Sequence, residues 1–314
     1  MRPARGLRAA LSRLIANARR LWAPLLVLGL SLAGCAPLPG PDRAGTFPLL
    51  QDGRAQPGVK RAIVAIPGAF ASVNIFAPVL DWQVPDSAFI VYRFPDMDGL
   101  PLDHRVQIDG SAQLIADYVN DLGAEEVYLL GYSTGGPIAI ETAQRLEARE
   151  VSLALISTAG PAPAGVMSSL RSGVEVVRAM LRSRSLRPRD AWTENYRTLL
   201  YGDEGLEDPA RAQDSAARAE AQRANMSTPS LRRTLAHTLS LMTWTLDRPG
   251  VLSGTRVRLF HGDADTVFTP AMARRLAARL PADQITYYQG QGHLLFVTSR
   301  RLFDDIHAFF FDED

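Results

Sequence analysis

The sequence predicts an α/β protein with a doubly wound, mostly parallel sheet and a helical cap inserted after a central strand. Short apolar runs alternate with helical patterns from residue 60 to 156, and again from residue 256 to 310. Buried parallel strands have continuous apolar runs of this kind, and their alternation with helices is typical of right-handed βαβ units. Residues 161–250 carry only helical patterns, which predicts the cap.

The individual elements follow from these patterns in chain order. Strands are predicted at 62–66, 89–92, 127–130, 151–156, 256–260 and 285–288, with an edge strand near 46–50. Helices are predicted at 72–80, 109–121, 137–148, 174–181, 208–224, 231–246, 270–280 and 294–310. The predicted domains are a core at 59–160 and 251–314, a cap at 161–250, a tether at 35–58 and a signal peptide at 1–34.

The first 35 residues have the pattern of an export signal. A basic segment without acidic residues precedes the mostly apolar Leu21–Leu32, which suits a signal peptide and is short for a membrane span. Leu32–Cys35 resembles the lipobox of bacterial lipoproteins, which implies lipidation of Cys35 and anchoring to the cell envelope. Ala36 favours the outer membrane where the organism has one. An uncleaved signal anchor and twin-arginine export through Arg19–Arg20 remain alternatives.

Charge and composition exclude several classes of partner. Removal of the signal peptide takes away six of the 34 basic residues and leaves 28 against 33 acidic ones, a net charge of −5. This charge argues against nucleic acid as the main partner. Cys35 is the only cysteine, and the chain has no His-x-x-x-His pair and no Gly-x-Gly-x-x-Gly motif. We therefore expect neither a metal site nor a cofactor.

The most informative motif is Gly131–Gly135, a Gly-x-Ser-x-Gly sequence between a predicted strand and a predicted helix. This pattern is typical of a nucleophile elbow, which exposes the serine hydroxyl at the edge of the sheet. A serine needs a base and an orienting acid. Asp265 follows the strand at 256–260 and His293 follows the last strand, so both are predicted to converge on Ser133. Asp263 remains the rival acid.

Three motifs together resemble the α/β-hydrolase superfamily with a helical cap, over residues 58–311. They are the elbow, the loop His261–Asp265 and the segment Gly290–His293. The resemblance implies a Ser-His-Asp triad and an oxyanion hole of two backbone N–H groups. The implied assignments are Ser133 as nucleophile, Asp265 as acid, His293 as base, and Ala69 and Thr134 as oxyanion donors, with Phe70 as a second candidate donor.

The chain departs from the family pattern at two places. Pro67 stands where family members usually have histidine, which leaves the Ala69 N–H in place but predicts an unusual loop shape. The segment after His293 lacks the acidic and proline positions often seen in the family, which we interpret as neutral for the chemistry. His104 and His237 are interpreted as structural or surface residues, with contact to substrate left open.

The cap is expected to cover the crevice and to form part of a substrate pocket. The predicted pocket residues are Phe70, Trp244, Met242, Phe268 and Phe296, with Trp192, Tyr196, Met226 and Val267 as further candidates. Their apolar character favours a hydrophobic acyl or aryl ester, although the same residues could form the core of the cap.

The sequence thus predicts an envelope-anchored serine hydrolase that cleaves a small carboxylic ester. The alternatives left open are a non-catalytic binding or scaffolding lipoprotein, and a thioesterase, peptidase or carbon–carbon hydrolase with the same triad.

Overall fold

The centre of the fold is a seven-stranded, mostly parallel sheet. A computed structural model describes residues 38–162, 178–183, 187–224, 228–248 and 252–312. The strands run in the order β1-β3-β2-β4-β5-β6-β7, and only β1 is antiparallel to its neighbour. They are β1 (Leu49–Gln51), β2 (Arg61–Ile66), β3 (Ser87–Tyr92), β4 (Glu126–Tyr132), β5 (Glu150–Ile156), β6 (Arg256–Gly262) and β7 (Ala282–Tyr288). This topology confirms the predicted fold class.

Helices connect the strands and cover both faces of the sheet. The described α-helices are α1 (Ile108–Leu122), α2 (Gly135–Ala143), α3 (Pro188–Gly205), α4 (Pro209–Gln222), α5 (Leu231–Thr238), α6 (Pro270–Ala277), α7 (Leu295–Thr298) and α8 (Leu302–Phe311). Shorter 3₁₀ helices span Pro41–Arg43, Val73–Asp81 and Leu239–Met242. Among the described residues, none of the helices is both long enough and apolar enough to cross a membrane.

The side chains of β2 show how one strand serves two hydrophobic cores. Val64 and Ile66 pack on one face with α1, α2 and α6, whereas Ile63 and Ala65 pack on the other with Val73–Asp81 and α8. Successive strand residues point to opposite faces, so a strand that is covered on both sides must be apolar throughout. This explains the continuous apolar runs of the sequence. Because helices cover both faces of the sheet, the loops that follow the carboxyl ends of the strands are left to form a site.

Several predicted elements differ from the observed ones in extent or type. The helix expected at 72–80 is the 3₁₀ helix Val73–Asp81, which contains Pro78, whose ring would clash with the carbonyl of Asn74 in an α-helix. The pattern expected to end at 148 stops at Ala143, and the pattern at 294–310 is divided between α7 and α8. Most of the helix predicted at 174–181 lies outside the described residues.

The predicted tether is also shorter than expected. The compact unit begins at Pro39, whose carbonyl accepts a hydrogen bond from Arg105, and β1 adds to the edge of the sheet. Residues 39–58 therefore belong to the folded unit. The predicted signal peptide and Cys35 lie outside the described residues.

Candidate active site

Ser133 lies in a strained turn between β4 and α2. Its φ is +53°, a left-handed value that residues with a Cβ rarely adopt. The turn is tight because α2 begins directly against β2: a Cβ on Gly135 would lie 2.3 Å from the carbonyl oxygen of Ile66. A Cβ on Gly136 would lie 1.4 Å from Thr158 Oγ1. Glycine is therefore required at these positions, and the turn has the geometry of a nucleophile elbow.

Ser133, His293 and Asp265 form one continuous chain of hydrogen bonds. Ser133 Oγ is 3.0 Å from His293 Nε2, and His293 Nδ1 is 2.8 Å from Asp265 Oδ2. A carboxylate can only accept, so His293 Nδ1 carries the proton and Nε2 is the acceptor for the serine hydroxyl. All three side chains are buried. The structure thus brings together the three residues that the sequence predicted, and it gives the histidine the tautomer of a base.

The Asp265 carboxylate is kept ionised by its surroundings. Burial raises the pKa of Asp265, but the neighbouring His293 and the donated hydrogen bonds outweigh burial and hold the pKa below its usual range. Oδ1 accepts from the backbone N–H groups of Val267 and Phe268, at 2.8 and 3.0 Å. His261, which the sequence did not place in the site, donates from Nε2 to the Phe268 carbonyl and so holds the same loop.

Asp263, the rival acid, has a different role. It is exposed, and its Oδ1 accepts a hydrogen bond from the backbone N–H of Gly290, on the loop that leads to His293. Asp263 therefore links two loops at the protein surface, whereas Asp265 contacts the imidazole.

The loop after β2 contains the predicted oxyanion donors. A Cβ on Gly68 would lie 2.7 Å from Ser133 Cβ, so this loop passes directly beside the nucleophile. The Ala69 N–H donates to Thr134 Oγ1 at 2.7 Å, and the Phe70 N–H donates to His237 Nδ1 at 3.2 Å. The N–H groups of Ala69 and Phe70 thus both have side-chain acceptors within the protein. The assignment of Ala69 and Thr134 to an oxyanion hole stays a prediction.

The helices between β5 and β6 (α3, α4 and α5), which lie in the predicted cap and are called the cap below, also contact the loop that carries His293. The helix α3 is kinked at Gly202, where φ is +71°. Just before the kink, the carbonyls of Leu199 and Leu200 accept hydrogen bonds from the backbone N–H groups of Leu294 and Gly292, at 3.1 and 2.8 Å. The residues on both sides of His293 are therefore held by the backbone of the cap. The sequence predicted a helical cap at 161–250 but no separate helix at Pro188–Gly205.

The predicted pocket residues fall into different surroundings. The Phe268 ring lies 5.5 Å from the His293 ring, and the Phe296 ring lies 5.1 Å from that of Tyr132, the residue before the nucleophile. Phe70 stacks on His237 with ring centroids 5.0 Å apart. These three aromatic residues are therefore close to the triad or to the loops that form it.

Trp244 and Met242 are not brought to the triad by any described contact. Trp244 is buried in the core, and its indole Nε1–H donates to Glu141 on α2 at 3.0 Å. Its position is that of a core residue, which corrects the prediction that it forms a pocket wall. Met242 is half-buried at the end of a 3₁₀ helix, and Met226 lies outside the described residues.

Two further features of the described residues bear on the location of the active site. Within the described ranges, no group of three or more His, Cys, Asp and Glu side chains could hold a metal ion. A groove of about 910 Å³ lies at the opposite edge of the sheet, at the amino ends of the strands, and includes Arg61, Glu126, Glu150 and Arg256. Open α/β sheets bind ligands at the carboxyl ends of their strands, so the triad marks the active site and this groove does not.

The fold and the site together define a hydrolase of the α/β-hydrolase kind. The chain belongs to the hydrolase family described as serine aminopeptidase, S33, whose model matches residues 103–299. At the level of this family, the protein is a serine hydrolase. A search of curated proteins finds no match.

Solved structures show the same fold at low sequence identity. An α/β-hydrolase enzyme, MGS-M2, from a Medee basin deep-sea metagenome library is 16% identical, with a TM-score of 0.65 over 85% of this chain and 94% of that one. A carboxylesterase structure from Nitrososphaera gargenis is 16% identical, with a TM-score of 0.60 over 82% and 91%. A thermophilic esterase from Thermogutta terrifontis is 16% identical, with a TM-score of 0.55 over 84% and 97%.

The two aspartates of the β6 loop provide a matched pair of variants. We expect Asp265→Asn to lower kcat for an activated ester by about 10³- to 10⁴-fold, because the amide no longer fixes the tautomer of His293 or stabilises its cation. Asp263→Asn retains the acceptor for Gly290, so its kcat should stay within about threefold of wild type. Equal losses in both variants, or a larger loss in Asp263→Asn, would contradict the assignment.

Proposed function

We propose that the protein is a carboxylic-ester hydrolase that acts through an acyl-enzyme on Ser133. The observation that carries this proposal is the hydrogen-bonded chain from Ser133 through His293 to Asp265, with the imidazole in the tautomer that accepts a proton from serine. This arrangement activates a hydroxyl that would otherwise be a poor nucleophile at neutral pH.

The reaction proceeds in two halves. Ser133 Oγ attacks the ester carbonyl carbon while its proton moves to His293 Nε2, and Asp265 stabilises the imidazolium that forms. The tetrahedral intermediate collapses, and the alcohol leaves with the proton from His293. Water then attacks the acyl-enzyme and gives its proton to His293, after which Ser133 is protonated again and the carboxylic acid departs.

The oxyanion is held by the backbone N–H groups of Ala69 and Thr134 in this proposal. The Ala69 N–H donates to Thr134 Oγ1 in the structure, so an acceptor oxygen already occupies the direction in which this donor points. We infer that the substrate oxyanion replaces the hydroxyl as the acceptor. The N–H of Thr134 lies at the amino end of α2, where the helix dipole also favours a negative charge.

The aromatic surroundings of the triad support a hydrophobic acyl or aryl group on the substrate. Phe268 contacts the ring of His293, and Phe70 packs edge-on against Trp192 of the cap, with ring centroids 6.5 Å apart. Apolar and aromatic side chains with few polar groups are typical of sites for small hydrophobic ligands. The family description names an aminopeptidase, so amide cleavage is the alternative that the experiment must separate from ester cleavage.

A substrate panel tests this proposal. We expect the full chain to hydrolyse p-nitrophenyl acetate, butyrate and octanoate, with kcat/KM highest for one of the longer esters, and to leave amino-acid p-nitroanilides intact. Ser133→Ala should lower kcat by at least about 10³-fold, because no other group can form the acyl-enzyme. Faster cleavage of the anilides would favour a peptidase. Ester hydrolysis that survives in Ser133→Ala would contradict the mechanism.

We propose further that the protein is exported and anchored to the bacterial envelope, in the outer membrane where one is present, by acyl chains on Cys35. The support is the basic, apolar and small-residue pattern that ends at this single cysteine. In a bacterial host fed an alkyne fatty acid, the wild-type chain should take up the label and fractionate with membranes. Cys35→Ser should do neither; label that persists in this variant would contradict lipidation at Cys35.

A further inference from the structure

His237 connects the cap to two loops of the core. It lies near the end of α5, is 2% exposed, and uses both ring nitrogens. Nδ1 accepts a hydrogen bond from the Phe70 N–H at 3.2 Å, and Nε2 lies 2.7 Å from the carbonyl oxygen of Pro95. A carbonyl can only accept, so Nε2 carries the proton and the neutral Nδ1 is free to accept. The surroundings thus fix one tautomer of His237.

The residue that His237 holds is strained. Phe70 has a φ of +63°, a left-handed conformation that is rare for a residue with a large side chain. Such backbone persists only where neighbouring groups impose it. His237 contacts Phe70 twice, through the hydrogen bond to its N–H and through the stacked rings, whose planes are 20° apart. Phe70 directly follows Ala69, the predicted oxyanion donor.

The position of His237 is itself fixed by the neighbours of α5. The carbonyl of Ala236 accepts from the Val106 N–H at 2.8 Å, and Arg233 pairs with Asp96 of the loop that contains Pro95. The ring of Phe94 packs edge-on against the imidazole at 5.1 Å. The helix is therefore attached to the core independently of the bond to Phe70, and a substitution at His237 can change the loop without releasing the cap.

We propose that His237 is a positioning residue of the active site. From the cap it holds the loop after β2, which carries the predicted oxyanion donor Ala69 (below, the oxyanion loop), through the N–H of Phe70. The inference rests on the ester-hydrolase mechanism proposed above. His237 does not exchange a proton with substrate, since both its nitrogens are engaged and Ser133 already has His293 as its base. It sets the direction of the Ala69–Phe70 backbone, and the neutral imidazole is the form that can do so.

The charge state of His237 at neutral pH agrees with this role. Burial lowers the pKa of His237 to about 4, and the nearby Arg233 and His104 lower it as well, against the raising effects of the Pro95 carbonyl and Asp96. In the unfolded chain the value is the ordinary 6.5. The stability that depends on neutral His237 is therefore fully present above pH 6.5 and is lost as the pH falls through about 4.

Two amide substitutions separate the two hydrogen bonds of His237. Asparagine can place its Oδ1 near the position of Nδ1 and accept from Phe70, whereas glutamine can donate near the position of Nε2 to Pro95 but has no acceptor for Phe70. We expect His237→Gln to lower kcat for p-nitrophenyl butyrate by about 10- to 100-fold with KM within about threefold of wild type. His237→Asn should keep kcat within about fivefold, because it retains the acceptor.

A second measurement addresses the oxyanion loop directly. An aryl trifluoromethyl ketone forms a tetrahedral oxyanion adduct with an active serine, so its Ki depends on the oxyanion hole in a way that KM does not. We expect Ki to rise in His237→Gln in proportion to the loss of kcat/KM, and to change little in His237→Asn. The fall in melting temperature between pH 6.5 and pH 4 should be smaller in both variants than in wild type, since neither amide titrates.

The outcomes distinguish this inference from the proposed function. An active wild type with unchanged kcat and Ki in both variants would overturn the role of His237 and leave the ester-hydrolase proposal intact. If kcat falls equally in the two variants, and only as far as their melting temperatures fall, His237 has a merely structural role. That result would also overturn the proposed role of His237. A folded wild type that hydrolyses no ester would overturn the proposed function and the inference together.

Discussion

The site depends above all on the tight turn at Ser133. A φ of +53° at a non-glycine residue is maintained because α2 lies directly against β2, with no space for a Cβ at Gly135. The turn is fixed to β5 as well, since the Ser133 N–H donates to the carbonyl of Ile156 at 2.9 Å. The hydroxyl is thereby held at the carboxyl edge of the sheet. The loops after β6 and β7 can then reach one fixed point with Asp265 and His293.

The cap is an integral part of this site because it fixes two of its loops through the backbone. Just before the kink at Gly202, the carbonyls of Leu199 and Leu200 accept hydrogen bonds from the loop on both sides of His293. On the other side, His237 binds the loop after β2. A cap held in this way supports the geometry of the triad. A movement of the cap would disturb both His293 and the loop after β2.

The sequence predicted most of the sheet and the triad for physical reasons. Parallel strands covered on both faces must be apolar. Chain order placed the acid and the base after the last strands, and the resemblance to the α/β-hydrolase superfamily implied Asp265 rather than Asp263. The predictions that were wrong or missing concern residues whose partners are distant in the sequence. The helix α3 was not predicted separately within the cap, and its carbonyls accept hydrogen bonds from a loop almost a hundred residues away. His237 and Phe70 are 167 residues apart, and Trp244 and Glu141 are 103 apart. No local sequence pattern shows that His237 holds a loop or that Trp244 belongs to the core.

Labelling with a fluorophosphonate tests most directly whether His293 activates Ser133. We expect intact mass spectrometry of the full chain to show one adduct per molecule, mapped to Ser133 and absent from Ser133→Ala. In His293→Ala, labelling should be slower by at least about 10³-fold, because the base is gone. A well-folded wild type that takes up no label, or a label on another residue, would contradict the account and favour a binding protein on a hydrolase fold.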